Sequence, residues 1–184
     1  ELEKETAVVL KELEKRGHAF VRYADDCNVY VRSRRAGERV METLRRLYAR
    51  LRLRVNEAKS AVARPWERKF LGYSFWVAPG RTIRRRIAPK ALDKFRVRVR
   101  ELTRRTRGES LPQVVEGLRP YLIGWRSYFG FCQTPRVLTN LEAWIRRRLR
   151  MYLWRQWQNG HNRFKELCRR GVPKLRAAVA AGHP

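Results

Sequence analysis

The spacing of apolar residues changes period several times along the chain. Over residues 1–16, Leu2, Thr6, Val9 and Leu13 share one face at helical spacing, and Gly17 is a natural stop. Residues 18–32 switch to a period of two. Val21 and Tyr23 alternate with Phe20 and Arg22, and Val29 and Val31 alternate with Asn28 and Tyr30, which predicts two short strands joined at Ala24-Asp25-Asp26. Helical spacing returns over 36–51 with Val40, Leu44, Leu47 and Leu51. Short strands are then expected at 53–55, 60–63, 70–77 and 82–87, with Pro79-Gly80 turning the last two.

Beyond Pro89 the pattern is helical almost throughout. Leu92, Phe95, Val99 and Leu102 form one stripe. Ser110 and Gln113 make a capping box for a short helix to about Leu118. Tyr121, Trp125 and Tyr128 form the next stripe, and Leu141, Trp144, Ile145, Leu149, Tyr152 and Leu153 the longest. A last short helix is expected near 163–170, ending at Gly171. The pattern is therefore α+β, with a natural boundary near residue 88: mixed helix and strand over 1–88, all helix over 89–184.

Charge separates the two parts further. The 184 residues carry 44 basic and 17 acidic side chains, a formal charge of +27. Residues 1–64 hold 16 basic and 10 acidic residues; residues 65–184 hold 28 and 7, together with all six Trp. A positive excess of that size makes a polyanion the natural partner. There is no 18-residue apolar run to span a bilayer and no stretch that reads as a signal peptide. Cys27, Cys132 and Cys168 are dispersed, so neither a zinc site nor a disulfide framework is expected, and a reducing intracellular compartment fits them best. His18, His161 and His183 stand alone. The chain starts at Glu1 rather than Met, so a piece of a longer protein is expected.

The sharpest chemical feature is Tyr23-Ala24-Asp25-Asp26. Adjacent carboxylates repel, and each raises the other's pKa. A hard divalent cation relieves that repulsion, and Mg²⁺ in such a site keeps waters and phosphate oxygens as further ligands. An ordinary Asp-containing turn is the plain alternative. The basic helices also have a plain alternative, a solvated amphipathic face. Against it, Glu142 is the only acid from Pro120 to Arg163, so pairing along the helix cannot absorb Arg146, Arg147, Arg148 and Arg150. Uncompensated arginines on one side make a phosphate-binding surface. In Arg84-Arg85-Arg86, alternation puts Arg85 on the opposite face from its neighbours. Trp125 and Trp144 are expected in the core, while Trp154 and Trp157 are open to either core or base-stacking roles.

Several blocks resemble a known family. Phe20-Val21-Arg22-Tyr23-Ala24-Asp25-Asp26 resembles the catalytic hairpin of reverse transcriptases. Val55-Asn56-Glu57-Ala58-Lys59-Ser60 resembles the block that follows it, and Phe70-Leu71-Gly72-Tyr73-Ser74-Phe75 the hairpin that grips the primer. Pro120-Tyr121-Leu122-Ile123-Gly124-Trp125-Arg126-Ser127-Tyr128-Phe129, Trp144 to Arg150 and Trp154-Arg155-Gln156-Trp157 are similar to the thumb, or maturase, domain of group II intron-encoded proteins.

The resemblance implies a partial reverse-transcriptase palm over 1–88, followed by a helical thumb/maturase domain over 89–184. It implies RNA-directed DNA synthesis with Mg²⁺ (or Mn²⁺) and dNTPs, and binding of intron RNA and of the RNA template/DNA primer duplex. Asp25 would be the principal metal ligand and Asp26 its partner. Phe70, Leu71, Gly72 and Tyr73 would form the primer grip. Asn56, Lys59, Arg126, Arg146, Arg147, Arg148, Arg150 and Arg155 would contact nucleic acid. A bacterial cytoplasmic setting, on the nucleoid, and a homodimer are compatible with it. Two other readings stay open at this point: an RNA-binding maturase or chaperone without polymerase activity, and a related reverse transcriptase with a defence role. The family also needs a third metal-binding Asp, and every carboxylate before Asp25 is a Glu.

Overall fold

The computed structural model describes residues 7, 11–24, 26–50 and 52–182. They fall into two compact units, residues 1–64 and 65–184. In the first, residues 11–15 are helical and Leu13 is buried. The helix stops where expected. Gly17 takes φ +79°, a conformation that costs glycine little, and the His18 N–H donates to the Leu13 carbonyl at 3.1 Å. Leu2, Thr6 and Val9 lie outside the described residues.

Strands β1 (Ala19–Tyr23) and β2 (Asp26–Tyr30) pair antiparallel, with Phe20 opposite Val29, Arg22 opposite Cys27 and Tyr23 opposite Asp26. Helix α1 (Arg34–Arg50) follows. Phe20, Cys27, Val29, Val31 and Leu44 pack around Leu13 and Val40 to form a small core. α1 also has to pass close to a neighbour: a Cβ on Gly37 would stand 2.7 Å from Val62 Cγ1, so only glycine fits. Leu51, the last residue of the expected stripe, lies outside the described residues.

The strands expected at 53–55 and 60–63 are not formed. Residues 52–59 spend their backbone on turns instead. The Leu53 N–H bonds the Tyr48 carbonyl at 2.8 Å, and the Lys59 and Ser60 N–H groups both bond the Asn56 carbonyl, at 3.0 and 2.9 Å. A three-residue alternation has no ladder to join here, so local turn bonds satisfy the peptides first.

The second unit opens with a 3₁₀ turn at Pro65–Glu67 and a three-stranded antiparallel sheet in the order β3 (Lys69–Phe70), β4 (Tyr73–Ala78), β5 (Thr82–Ile87). The single strand expected over 70–77 is broken, because Leu71 and Gly72 take φ +50° and +76°. Two successive positive-φ residues between paired Phe70 and Tyr73 make a tight hairpin turn whose twist suits the strands. Pro79-Gly80 turns β4 into β5 as expected, with Gly80 at φ +78°.

Helices α2 (Pro89–Leu102), α3 (Leu111–Phe129) and α4 (Pro135–Gln156) pack round Phe95, Val99, Leu118 and Leu141, with Trp125 and Trp144 against them. Each of those buried side chains stabilises the unit by roughly 1.5–3 kcal/mol. The capping box is present, with the Ser110 N–H donating to Gln113 Oε1 at 2.8 Å. The helix does not stop at Leu118, however: α3 runs on through Pro120. Leu118, Tyr121, Leu122 and Trp125 all face the same core, and that packing outweighs one lost helical bond. Helix α5 (Gly160–Arg169) starts earlier than expected, because Asn159 Oδ1 accepts the Asn162 N–H at 2.9 Å and caps it. A further helix, α6 (Lys174–Ala181), buries Ala177 and Ala181; an alanine stripe gives little hydrophobic contrast in sequence.

The described residues thus form a mixed helix and strand arrangement with two small antiparallel sheets among them. Packing puts β3–β5 with the helices: Ile87, Tyr73, Phe129 and Cys132 share a cluster, and the Ala88 N–H donates to the Gly72 carbonyl at 2.8 Å.

Candidate active site and nucleic-acid interface

The β1–β2 register sorts the hairpin into two faces. Phe20, Cys27 and Val29 lie on the packed side. Val21, Tyr23, Asp26, Asn28 and Tyr30 share the other. Tyr23 is 62% exposed and Asp26 is exposed beside it across the turn. Ala24 holds φ +48°, rare for a residue with a Cβ, and the Arg22 Nε–H donates to its carbonyl at 3.1 Å. Asp25 lies outside the described residues. Among the described residues no three His, Cys, Asp or Glu side chains cluster as a metal site. Beneath the tip, burial pushes the Cys27 thiol pKa up, with Arg22 pulling the other way.

Asn56 and Lys59 meet at one turn, where Asn56 Oδ1 accepts the Lys59 N–H at 3.2 Å. Asn56 shapes the turn, and the Lys59 side chain is exposed on it. Next to them Glu57 receives both Arg45 Nε (2.8 Å) and Nη2 (2.6 Å), tying the turn to α1. That paired donation holds the Glu57 carboxyl below its ordinary pKa.

In the second unit the Phe70–Tyr73 turn is locked to the end of α3 by two tyrosines that bond reciprocally. The Tyr73 hydroxyl donates to the Tyr128 carbonyl at 2.5 Å, and the Tyr128 hydroxyl donates to the Leu71 carbonyl at 3.0 Å. The Tyr73 ring packs on Phe129 at 5.3 Å. A Cβ on Gly72 would stand 3.0 Å from Phe129 Cζ. Gln133 adds a second clamp. Its backbone N–H donates to the Arg85 carbonyl (2.9 Å), and its side-chain oxygen accepts the Arg85 N–H (2.8 Å). Arg84 and Arg86 lie across the ladder from Trp76 and Ser74, and Arg85 across from Phe75. Sequence reasoning missed these clamps because their partners are about fifty residues apart.

The arginines divide by role. Arg126 is exposed in the last turn of α3. Arg146 is exposed and pairs with Glu142 at 2.5 Å. Arg147, Arg150 and Arg155 line a hollow of about 370 Å³ together with Arg105, Arg163, Met151 and Trp154. Arg148 turns inward instead: its Nε donates to Thr103 Oγ1 at 2.8 Å, and its guanidinium lies 5.5 Å from the Trp144 ring centre. Burial, then Arg100 and Arg105, lowers its pKa below the usual arginine value. Arg105 and Arg163 were not singled out from sequence, because they reach the hollow from other elements and no spacing rule joins them to α4.

Two family models match the chain. Residues 5–75 match the reverse transcriptase (RNA-dependent DNA polymerase) family, and residues 92–171 match the group II intron, maturase-specific domain. The chain belongs to the group II intron-type reverse transcriptase/maturase family. The Asp hairpin and the Leu71-Gly72 turn of this reverse transcriptase/maturase fall in the first match, and most of α2 with all of α3, α4 and α5 in the second. Its maturase and polymerase regions make RNA and other nucleic acids its substrates. No curated protein matches the chain. Among the described residues, no helix of this maturase is long and apolar enough to cross a membrane.

Proposed function

We propose that residues 1–88 act as part of the polymerase palm and residues 89–184 as the thumb/maturase domain. The observation that carries this reading is that a hairpin with Asp26 exposed beside its turn and a cationic helical surface occur in one chain, each inside the matching family region. Asp25 is the principal ligand of a divalent cation, Mg²⁺ or Mn²⁺, and Asp26 completes that side of the site. Hard carboxylate oxygens suit such an ion, and Asp26 is exposed beside the turn. The cation supplies activation of the primer 3′-hydroxyl and charge neutralisation at the leaving pyrophosphate of the incoming dNTP.

The protein's own contribution is placement. Phe70, Leu71, Gly72 and Tyr73 hold the primer strand, and the Tyr73–Tyr128 clamp keeps that turn rigid. Asn56 shapes the turn that presents Lys59 to a phosphate. Arg126, Arg146, Arg147, Arg150 and Arg155 contact the phosphates of the template–primer duplex and of intron RNA. Arg148 serves the same surface indirectly, by anchoring α4 at Thr103. The setting is a bacterial cytoplasm, on the nucleoid, and a homodimer is compatible with the exposed surfaces.

Polymerisation needs one more carboxylate, because two-metal chemistry requires ligands on both sides of the ion pair, and no Asp precedes Asp25. Primer extension on an RNA template tests the assignment, with and without an added fingers–palm polypeptide from a full-length relative. The 184 residues are expected to extend the primer only with that addition. Extension by the chain unaided would show the active site to be misplaced.

A further inference from the structure

The hollow on α4 combines arginines with an aromatic side chain. Arg147, Arg150, Met151, Trp154 and Arg155 come from successive turns of one face of α4. Arg163 arrives from α5 and Arg105 from the segment after α2. Five of the seven lining residues are arginines and none is acidic. The lining is therefore strongly cationic, with Met151 and the Trp154 ring as its apolar side chains. The Arg163 guanidinium lies over the Trp154 ring, 5.0 Å from its centre, at cation–π distance. Its Nε–H is buried and has no hydrogen-bond partner. A buried donor of that kind is paired in nearly every folded protein.

A duplex presents phosphates on a convex ridge and keeps its bases stacked inside, so it gains from the arginine charges and nothing from the Trp154 ring. An unpaired nucleotide presents both a π-face and a phosphate. A volume of about 370 Å³ is in the range of sites that enclose a small ligand. We propose that this hollow is a receptor for a single unpaired RNA nucleotide, a bulged or loop residue. Its base packs on the Trp154–Arg163 pair, and its flanking phosphates lie on Arg147, Arg150 and Arg155. The proposal rests on the reading of residues 89–184 as an RNA-binding domain and adds the structural class of RNA that domain selects.

The test compares two RNAs on the full chain: a perfect duplex, and the same duplex with one unpaired 5-bromouridine bulge. The bulged RNA is expected to bind about tenfold tighter. Trp154→Ala should bring the ratio of the two affinities close to one, and Trp154→Phe should keep part of it. Irradiation of the wild-type complex should crosslink the bromouridine to a peptide containing Met151 and Trp154, a readout that needs no variant to fold. Equal binding of the two RNAs, or crosslinks only outside α4 and α5, would overturn the receptor while leaving RNA binding by the domain intact. Failure of both RNAs to bind would overturn the RNA-binding reading as well. Displacement of the bulged RNA by a polyglutamate peptide at matched charge would assign the hollow to acidic protein instead.

Discussion

Residues 1–64 and 65–184 differ in how far basic residues outnumber acidic ones. The first region has 16 basic residues for 10 acidic ones, and Arg16 pairs with Glu12, Arg34 with Glu38 and Arg45 with Glu57. The second has 28 basic residues for 7 acidic ones and gathers five arginines round one hollow without a carboxylate. Exposed ion pairs add little stability in either region, so the contrast concerns partners. A region that performs chemistry on phosphate through cations can carry exposed acids. A region that holds the polyanion needs more arginines than its few acids, such as Glu142 with Arg146, can pair. The two also differ in construction: the hairpin rests on a core of Leu13 and Val40, whereas the second region is built round Phe95, Val99, Leu118 and Leu141.

The largest expected effect breaks the first side of that contrast. In the complemented polymerase, Asp25→Ala should reduce primer extension by about a thousandfold or more, because loss of a metal ligand removes several kcal/mol of transition-state stabilisation. RNA affinity measured on the same protein should hardly change. Persisting extension would remove the hairpin from the mechanism.

Next comes the clamp in the second region. Gly72→Ala forces an L-residue to φ +76° and brings a methyl group to 3.0 Å from Phe129, which should cost about 1–3 kcal/mol of stability. Tyr128→Phe deletes one bond to Leu71 and should cost about 0.5–1.5 kcal/mol. Thermal melts check both, and Gly72→Ala melting like wild type would show the turn to be freely rearranged.

Two adjacent arginines sharpen the contrast further. Arg147→Ala should weaken RNA binding and lower the slope of log affinity against log salt by about one. Arg148→Ala should instead lower the melting temperature, since it loses Thr103 and Trp144. Exchange of those outcomes would reverse the two assigned roles.

These cases show what the sequence made legible. Period and turn chemistry were enough for the β1–β2 hairpin, for α1, α2 and α4, and for the stop at Gly17, because each rests on contacts within a few residues. The Asp pair was visible as adjacent like charges. The through-run of α3 past Pro120 was not, because tertiary packing overrode a local breaker. The strands expected at 53–55 and 60–63 do not form, because segments of three and four residues have no partner strand there. Arg147 and Arg148 are neighbours of one type, and only the fold shows that Arg148 turns to Thr103. The hollow combines three separate elements, a juxtaposition that no local pattern encodes.

The smallest effect lies beneath the hairpin. Burial raises the Cys27 pKa in the folded chain above its ordinary value of 9.0. The neutral thiol therefore favours the fold, a contribution fully present below that ordinary value and lost as pH rises through the raised one. Alkylation of Cys27 at mildly alkaline pH should be slower in the folded protein than in denaturant. Equal rates would show the hairpin core to be open.

The central claim is that chemistry and RNA holding reside in different regions, and a salt titration of RNA binding on the full chain tests it most directly. Wild type is compared with Asp25→Asn/Asp26→Asn and with Arg147→Ala/Arg150→Ala/Arg155→Ala. The account predicts a wild-type slope for the Asn pair and a slope lower by about two to three for the arginine triple, with a matching loss of affinity at low salt. An unchanged slope in the arginine triple, or an equal loss of RNA binding in the Asn pair, would contradict it.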